Sequence, residues 1–289
     1  MKVLVLVIVS FDKPVYYDML AVWKKRINYQ SLTEKSNTDG CINDVWFIHC
    51  KPDKEWVGDI VNDLRDEHSD NSSKHSLKNR FELDRENKTL YVRGDECLIP
   101  GILHKTVEAL SFFLHHWSFT NSCINDNNVK EGSKGNYVPF IWRTNLSSVL
   151  DFAGLERYLG KISSTKALYS GYVGLGSLNN GSKVNPDSLS TFFASGAGFL
   201  MSRDVALYLV ENKEFLRWDL IDDVAIGALL EPKFGIVPLD RCWVQTGSED
   251  ISALVANGIF HFRCESYQHL RTVEFMQYVD ECLLRGFVP

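Results

Sequence analysis

Two adjacent carboxylates, Asp222 and Asp223, open the apolar run Val224-Ala225-Ile226-Gly227 in this chain of 289 residues. An acidic pair at the first turn of a helix favours the helix dipole and caps free N–H groups. It can also divide the work, one carboxylate being anchored by hydrogen bonds while the other faces a cleft as a general base. The pattern alone leaves open which of the two faces inward. A second segment, Phe193-Ala194-Ser195-Gly196-Ala197-Gly198-Phe199, puts small residues where a backbone must come close to something. Tight sheet packing at the glycines is one reading. The other makes Ser195 and Gly196 the floor of a ligand pocket. Beyond them, Ser202 can cap the helix that follows.

Three further segments carry chemistry-bearing types. Leu90 to Thr106 reads as a strand, a polar turn (Gly94-Asp95-Glu96) and a helix start with Lys105 on an early turn. A helix N-terminus beside a lysine suits a diphosphate; an exposed lysine without a role is the plain alternative. Tyr137 to Trp142 reads as a strand whose end delivers Arg143-Thr144-Asn145-Leu146-Ser147-Ser148. Ligands of open α/β sheets bind beyond the carboxyl ends of strands, so this polar cluster is where chemistry is sought. In His261-Phe262-Arg263 the first and third side chains of a strand point to one side, towards a diphosphate or a metal, unless the histidine is structural. His115-His116 on the long helix do not share a face, and no H-E-x-x-H accompanies them, so a zinc site is not expected there.

The elements that must position these groups follow from apolar patterning. Val3 to Val9 is a continuous β-rich run, the pattern of a strand covered on both faces. Tyr16, Leu20, Trp23 and Ile27 recur at helical spacing, and the polar segment Ser31 to Gly40 leads to a second strand at Val45 to Ile48 and a short helix at Trp56 to Leu64. Glu67 to Asn79 and Asn121 to Gly135 read as loops, Thr89 to Val92 as a strand. Behind Pro100 and Gly101, Leu103, Val107, Leu110, Leu114 and Trp117 mark a long helix. A helix near Ser148 to Leu159, a glycine-rich stretch from Ser170 to Gly181, a strand at Phe192 to Met201 and helices near Asp204 to Glu211 and Asp222 to Leu230 complete the chain. Successive βα units predict an α/β fold, a mainly parallel central sheet flanked by helices in a single domain.

Composition narrows the partners. With 45% hydrophobic and 24% charged residues the chain can bury a sizeable core. A net charge of −6 with no long basic run excludes a broad electrostatic grip on nucleic acid. Seven scattered cysteines without a C-x-x-C pair favour a reducing compartment. The run from Val3 imitates a secretory signal, but Asp12 and Lys13 follow at once and no A-x-A-like cleavage site appears. Nothing reaches the ~20 apolar residues of a membrane span. A soluble, cytoplasmic protein is therefore expected, and the sequons at Asn71, Asn87, Asn145 and Asn180 are read as chance.

In order along the chain, G-D-E-x-x-x-P-G-I-x-x-K-T (Gly94 to Thr106), R-T-N-L-S-S (Arg143 to Ser148), S-G-A-G-F-L-M-S-R-D (Ser195 to Asp204), D-D-V-A-I-G (Asp222 to Gly227) and H-F-R (His261 to Arg263) resemble the motifs of inverting β-1,3-glycosyltransferases of the galactosyltransferase and Fringe-like group. The resemblance covers roughly residues 1 to 270. It implies a GT-A-like, Rossmann-like fold, with residues 1–150 as a nucleotide-binding half and 151–289 as an acceptor-binding half. The implied activity is transfer of a sugar from a UDP-sugar donor to a glycan or glycoprotein hydroxyl. Asp223 becomes the proposed base and Asp222 its neighbour. Ser195, Gly196 and Asp222 line the acceptor, while Ser10, Lys105, Arg143, Asn145, Ser147 and Arg263 form the donor set.

One departure stands out. Relatives end the central strand with an acidic triplet that binds Mn²⁺, where this chain has Asn145, Leu146 and Ser147. Either Mn²⁺ is held weakly, with Asn145 and His261 among its ligands, or Lys105, Arg143, His261 and Arg263 offset the charge of the leaving UDP. The first is the expectation. A catalytically silent sugar-nucleotide or glycan-binding protein of the same fold is the alternative. A hydrolase would need a nucleophile elbow or a dense metal-ligand cluster, and the sequence has neither.

Overall fold

The computed structural model describes residues 3–10, 13–34, 44–52, 80–116, 138–178, 189–240, 242–244, 250–264 and 271–285. The expected helix at Trp56 to Leu64, the two loops at Glu67 to Asn79 and Asn121 to Gly135, and the sequons at Asn71 and Asn180 lie outside them.

The first strand forms where the apolar run predicts it: β1 (Val3–Ile8) is buried throughout. Its alternation feeds two cores. Leu4, Leu6 and Ile8 enter one, while Val3, Val5 and Val7 enter the other. Helix α1 (Val15–Glu34) carries the chain to β2 (Asp44–Lys51), parallel to β1. A hairpin of β3 (Phe81–Asp84) and β4 (Thr89–Arg93) adds to the β2 side, β4 parallel to β2. Of the two, β3 escapes the sequence reading because four residues give too short a pattern to register. Helix α2 (Gly101–His115) then crosses back, and β5 (Phe140–Asn145) pairs in parallel on the opposite side of β1.

This reversal makes the gap between β1 and β5 a topological switch point, whose carboxyl-end crevice is the usual ligand site of open α/β sheets. Ile8 is directly opposite Asn145 in that pairing.

After β6 (Ser148–Leu150) and α3 (Phe152–Leu159) come β7 (Tyr169–Ser177) and the long β8 (Ser190–Ser202). Then follow α4 (Arg203–Glu211), α5 (Asp222–Phe234) and β9 (Val237–Pro238), and finally β10 (Cys242–Val244), α6 (Ile251–Ala256), β11 (His261–Arg263) and α7 (Thr272–Arg285). The main sheet has the order β3-β4-β2-β1-β5-β8-β7-β9, and β10-β11-β6 form a small second sheet. The fold is α/β, a Rossmann-like sheet flanked by helices. Phe112 and Phe113 of α2, Leu209 of α4 and Ile226 of α5 fill one core; Trp23 of α1, Leu155 of α3, Val279 of α7 and Phe262 of β11 fill the other.

Some boundaries differ from the sequence reading, each for a local reason. Arg143 to Asn145 belong to β5 itself, because their backbones pair with β1 on one side while Arg143 and Thr144 also pair with β8 on the other. Ser148 to Leu150 pair with β11 and so are strand rather than helix start. Residues 170–177 of the glycine-rich stretch belong to β7. Ser202 makes no cap: its hydroxyl donates to Asp204 Oδ1 at 2.6 Å. Among the described residues no helix is long and apolar enough to cross a membrane, and Cys50, Cys97, Cys242, Cys264 and Cys282 form no disulfide.

Candidate functional site

The site is built around a break in β8. Gly171 of β7 pairs with Phe199, and Val173 with Ala194, so one residue of β7 (Tyr172) faces four of β8 (Ser195 to Gly198). Bulges of this kind free backbone groups from the ladder and collect next to active sites. Here the freed groups are taken up by side chains from three other elements, α5, β5 and β6. Gly196 N–H donates to Asp223 Oδ2 at 2.9 Å. Gly196 C=O accepts from Arg143 and, at 3.2 Å, from Asn145 Nδ2. Ala197 C=O accepts from Thr144 Oγ1 at 2.6 Å and Ser148 Oγ at 3.1 Å. The small residues of Ser195-Gly196-Ala197-Gly198 thus serve close approach: a Cβ on Gly196 would lie 3.0 Å from the Arg143 guanidinium and 3.4 Å from Asp223 Oδ2.

The acidic pair at the start of α5 splits as its two roles require. Asp222 is buried and ion-paired with Arg143, itself 2% exposed. Asp223 is half-buried, and its other oxygen accepts from Val224 N–H at 2.9 Å. Burial, and then the negative charge of Asp222, push the Asp223 carboxyl up to about 6; the Gly196 N–H and Arg143 oppose that rise. The result is a partly accessible carboxylate with a raised proton affinity, anchored by two backbone donors beside an ion-paired twin.

Asn145, Ser147 and Ser148 close the tip of β5. Ser147 Oγ donates to Asn145 Oδ1 at 3.2 Å, and Ser148 Oγ, which shares its single proton with Ala197 C=O, lies at the same distance. Ser10 stands at the end of the neighbouring strand. The α5 carboxylates and the β5 tip converge: Arg143, Asn145, Ser195, Gly196, Asp222 and Asp223 form one connected cluster, with Ser147 and Ser148 on its border.

Lys105 and His261 are placed differently from expectation. Lys105 is 0% exposed and its ammonium is taken by Glu96, Val9 C=O and Ser10 Oγ. With three protons and three acceptors it has none to offer a diphosphate. His261 is also buried, packed where a Cβ on Gly198 would come within 2.6 Å of its Nε2, with Thr144 Oγ1 3.4 Å away. Burial, with help from Arg263, pushes its pKa down to about 3. Arg263 is half-buried and opposite Ser148 across the β6–β11 pairing.

The fit to Mn²⁺ fails at the two residues named for it. Asn145 brings a neutral amide whose oxygen already accepts from Ser147 Oγ at 3.2 Å, and His261 is fully buried with its Nε2 packed against Gly198 and Thr144. Among the described residues no three His, Cys, Asp or Glu side chains group as metal ligands. Glu96, which the sequence reading passed over, proves to be the partner of Lys105; its signal was the acid in the Gly94-Asp95-Glu96 turn. No protein-family model matches the chain, and no curated protein is similar enough in sequence to count as a relative.

Proposed function

We propose that the chain is an inverting glycosyltransferase of GT-A type that moves a sugar from a UDP-sugar to an acceptor hydroxyl, with Asp223 as general base. The observation that carries this reading is the Gly196–Asp223–Asp222–Arg143 constellation beside the β1/β5 switch point. Asp223 takes the proton of the acceptor O–H. That oxygen forms a bond to the anomeric carbon while the bond from that carbon to the diphosphate oxygen breaks, and UDP leaves with the electron pair. A carboxyl at about 6 suits the task, since a base works best with a pKa near the operating pH. Asp222, ion-paired with Arg143, puts negative charge next to Asp223 and so raises its basicity.

The donor side is supported by Ser10, Asn145 and Ser147 at the strand ends. Charge developing on the leaving diphosphate needs preorganised donors. Lys105 and Arg143 are both committed to carboxylates of the protein; the reading gives that role to Arg263, which lies opposite Ser148 at the border of the cluster.

The same commitment of two cations favours, as a second reading, a sugar-nucleotide-binding protein without turnover. A hydrolysis screen of UDP-glucose, UDP-galactose, UDP-N-acetylglucosamine, UDP-xylose and UDP-rhamnose, with and without Mn²⁺, separates the two. Slow release of UDP from one donor supports the transferase; binding without release supports the silent protein; neither binding nor release removes both.

A further inference from the structure

We propose that Glu96 is a positioning residue for the nucleotide end of the site, acting through Lys105 on Ser10; the proposal rests on the transferase reading. Glu96 lies in the turn between β4 and α2 and is the only carboxylate that the hydrogen bonds among described residues bring to Lys105. Its two oxygens work on different elements. Oε1 accepts from Cys50 N–H at 2.7 Å, at the carboxyl end of β2. Oε2 takes the ammonium of Lys105, which rises from α2. That ammonium grips the carboxyl end of β1, at Val9 C=O and Ser10 Oγ. One ion pair therefore ties the ends of two adjacent parallel strands to the helix behind them.

Burial decides what the pair is for. The Lys105 side chain is 0% exposed against 20% for Glu96, so the lysine cannot act as a surface cation, and a buried ammonium without its carboxylate is costly. Ser10 is half-buried, and the strand it follows runs beside Asn145. It is the member of the brace that a nucleotide entering the β1/β5 crevice would meet. Lys105 holds it mainly through the backbone: the ammonium donates to the adjacent Val9 C=O at 2.5 Å, while its contact to Ser10 Oγ is long, 3.5 Å. Loss of Glu96 frees the ammonium to seek other acceptors, and Ser10 loses its fixed place. Misplacing a positioning group by about 1 Å can cost on the order of a hundredfold in rate.

The test is a double-mutant cycle read by UDP calorimetry on the full chain, with thermal melting alongside. Glu96→Gln weakens UDP binding at least about tenfold, Ser10→Ala also weakens it, and the double variant binds no worse than Glu96→Gln alone. The acceptor KM stays unchanged. A Glu96→Gln protein that melts lower but binds UDP as the wild type does has lost only stability, and overturns the proposal, as does full additivity with Ser10→Ala. Should Glu96→Gln fail to fold, Glu96→Gln/Lys105→Met removes the charge from both partners and is read against the same outcomes. Absence of UDP binding by the wild type sinks the transferase reading and this proposal with it. Normal wild-type binding with an unaffected Glu96→Gln sinks this proposal alone.

Discussion

Asp223 and Gly196, 27 residues apart in sequence, are joined by a backbone N–H to carboxylate hydrogen bond of 2.9 Å. That bond fixes a raised-pKa carboxyl to a strand bulge, and each of the following expectations depends on it or on the ion pair beside it.

Asp223 should weaken the fold above mild acidity. Its folded pKa of about 6 exceeds the ordinary aspartate value of 3.8, so between those values the folded chain binds more protons than the unfolded one and stability falls as pH rises. A carboxyl moved that far corresponds to roughly 3 kcal/mol. Asp223→Asn removes the charge and should raise Tm at about pH 8 while leaving it little changed near pH 4, as read by differential scanning calorimetry. A lower Tm for the variant at pH 8 would contradict this.

The same group predicts the acid limb of the reaction. Transfer requires the ionised carboxylate, so the rate should fall about tenfold per pH unit below about 6 and level off above it. Initial UDP release at saturating donor, followed across that range, gives the apparent pKa. A limb near 4 would assign the proton transfer to an ordinary exposed acid.

Removing Arg143 leaves Asp222 buried and unpaired. Arg143→Met should cost about 3–5 kcal/mol in urea unfolding, and adding Asp222→Asn should recover much of it. Because Arg143 also holds the Asp223 carboxyl down, any activity left in Arg143→Met should show its acid limb at higher pH. No recovery on adding Asp222→Asn would mean the pair is not the unit described.

Docking of α5 on β8 depends on Gly227. A Cβ there would meet Phe193 Cβ at 2.5 Å and Phe192 C=O at 2.7 Å, so the helix must shift. Gly227→Ala should cost about 1–3 kcal/mol and reduce transfer, since Asp223 sits on the first turn of the same helix. Gly160→Ala, whose nearest neighbour would be Glu156 C=O at 3.4 Å, should stay within about 0.5 kcal/mol. Equal effects at the two glycines would remove the packing argument.

The sequence revealed elements whose signal is local. Val3 to Val9 is apolar on both faces because the strand is covered on both, and the stripe from Leu103 to Leu114 is the buried face of α2. What escaped depends on distant partners. Arg143 looked like a residue beyond a strand, and only pairing with β1 and β8 makes it part of one. Four small residues in a row signalled close approach, but the bulge they form exists because β7 supplies a single residue opposite. Lys105 looked like a helix-end cation, and its neutralisation by Glu96 is set by a turn nine residues earlier folding back on α2. His261 looked like a ligand, and the second sheet buries it against Gly198.

The most direct measurement compares wild type and Asp223→Asn, in parallel, for UDP affinity by calorimetry and for sugar transfer with the best donor from the screen. The account predicts UDP affinity retained within a few-fold and transfer reduced at least about a hundredfold. Transfer at the wild-type rate by Asp223→Asn would contradict it.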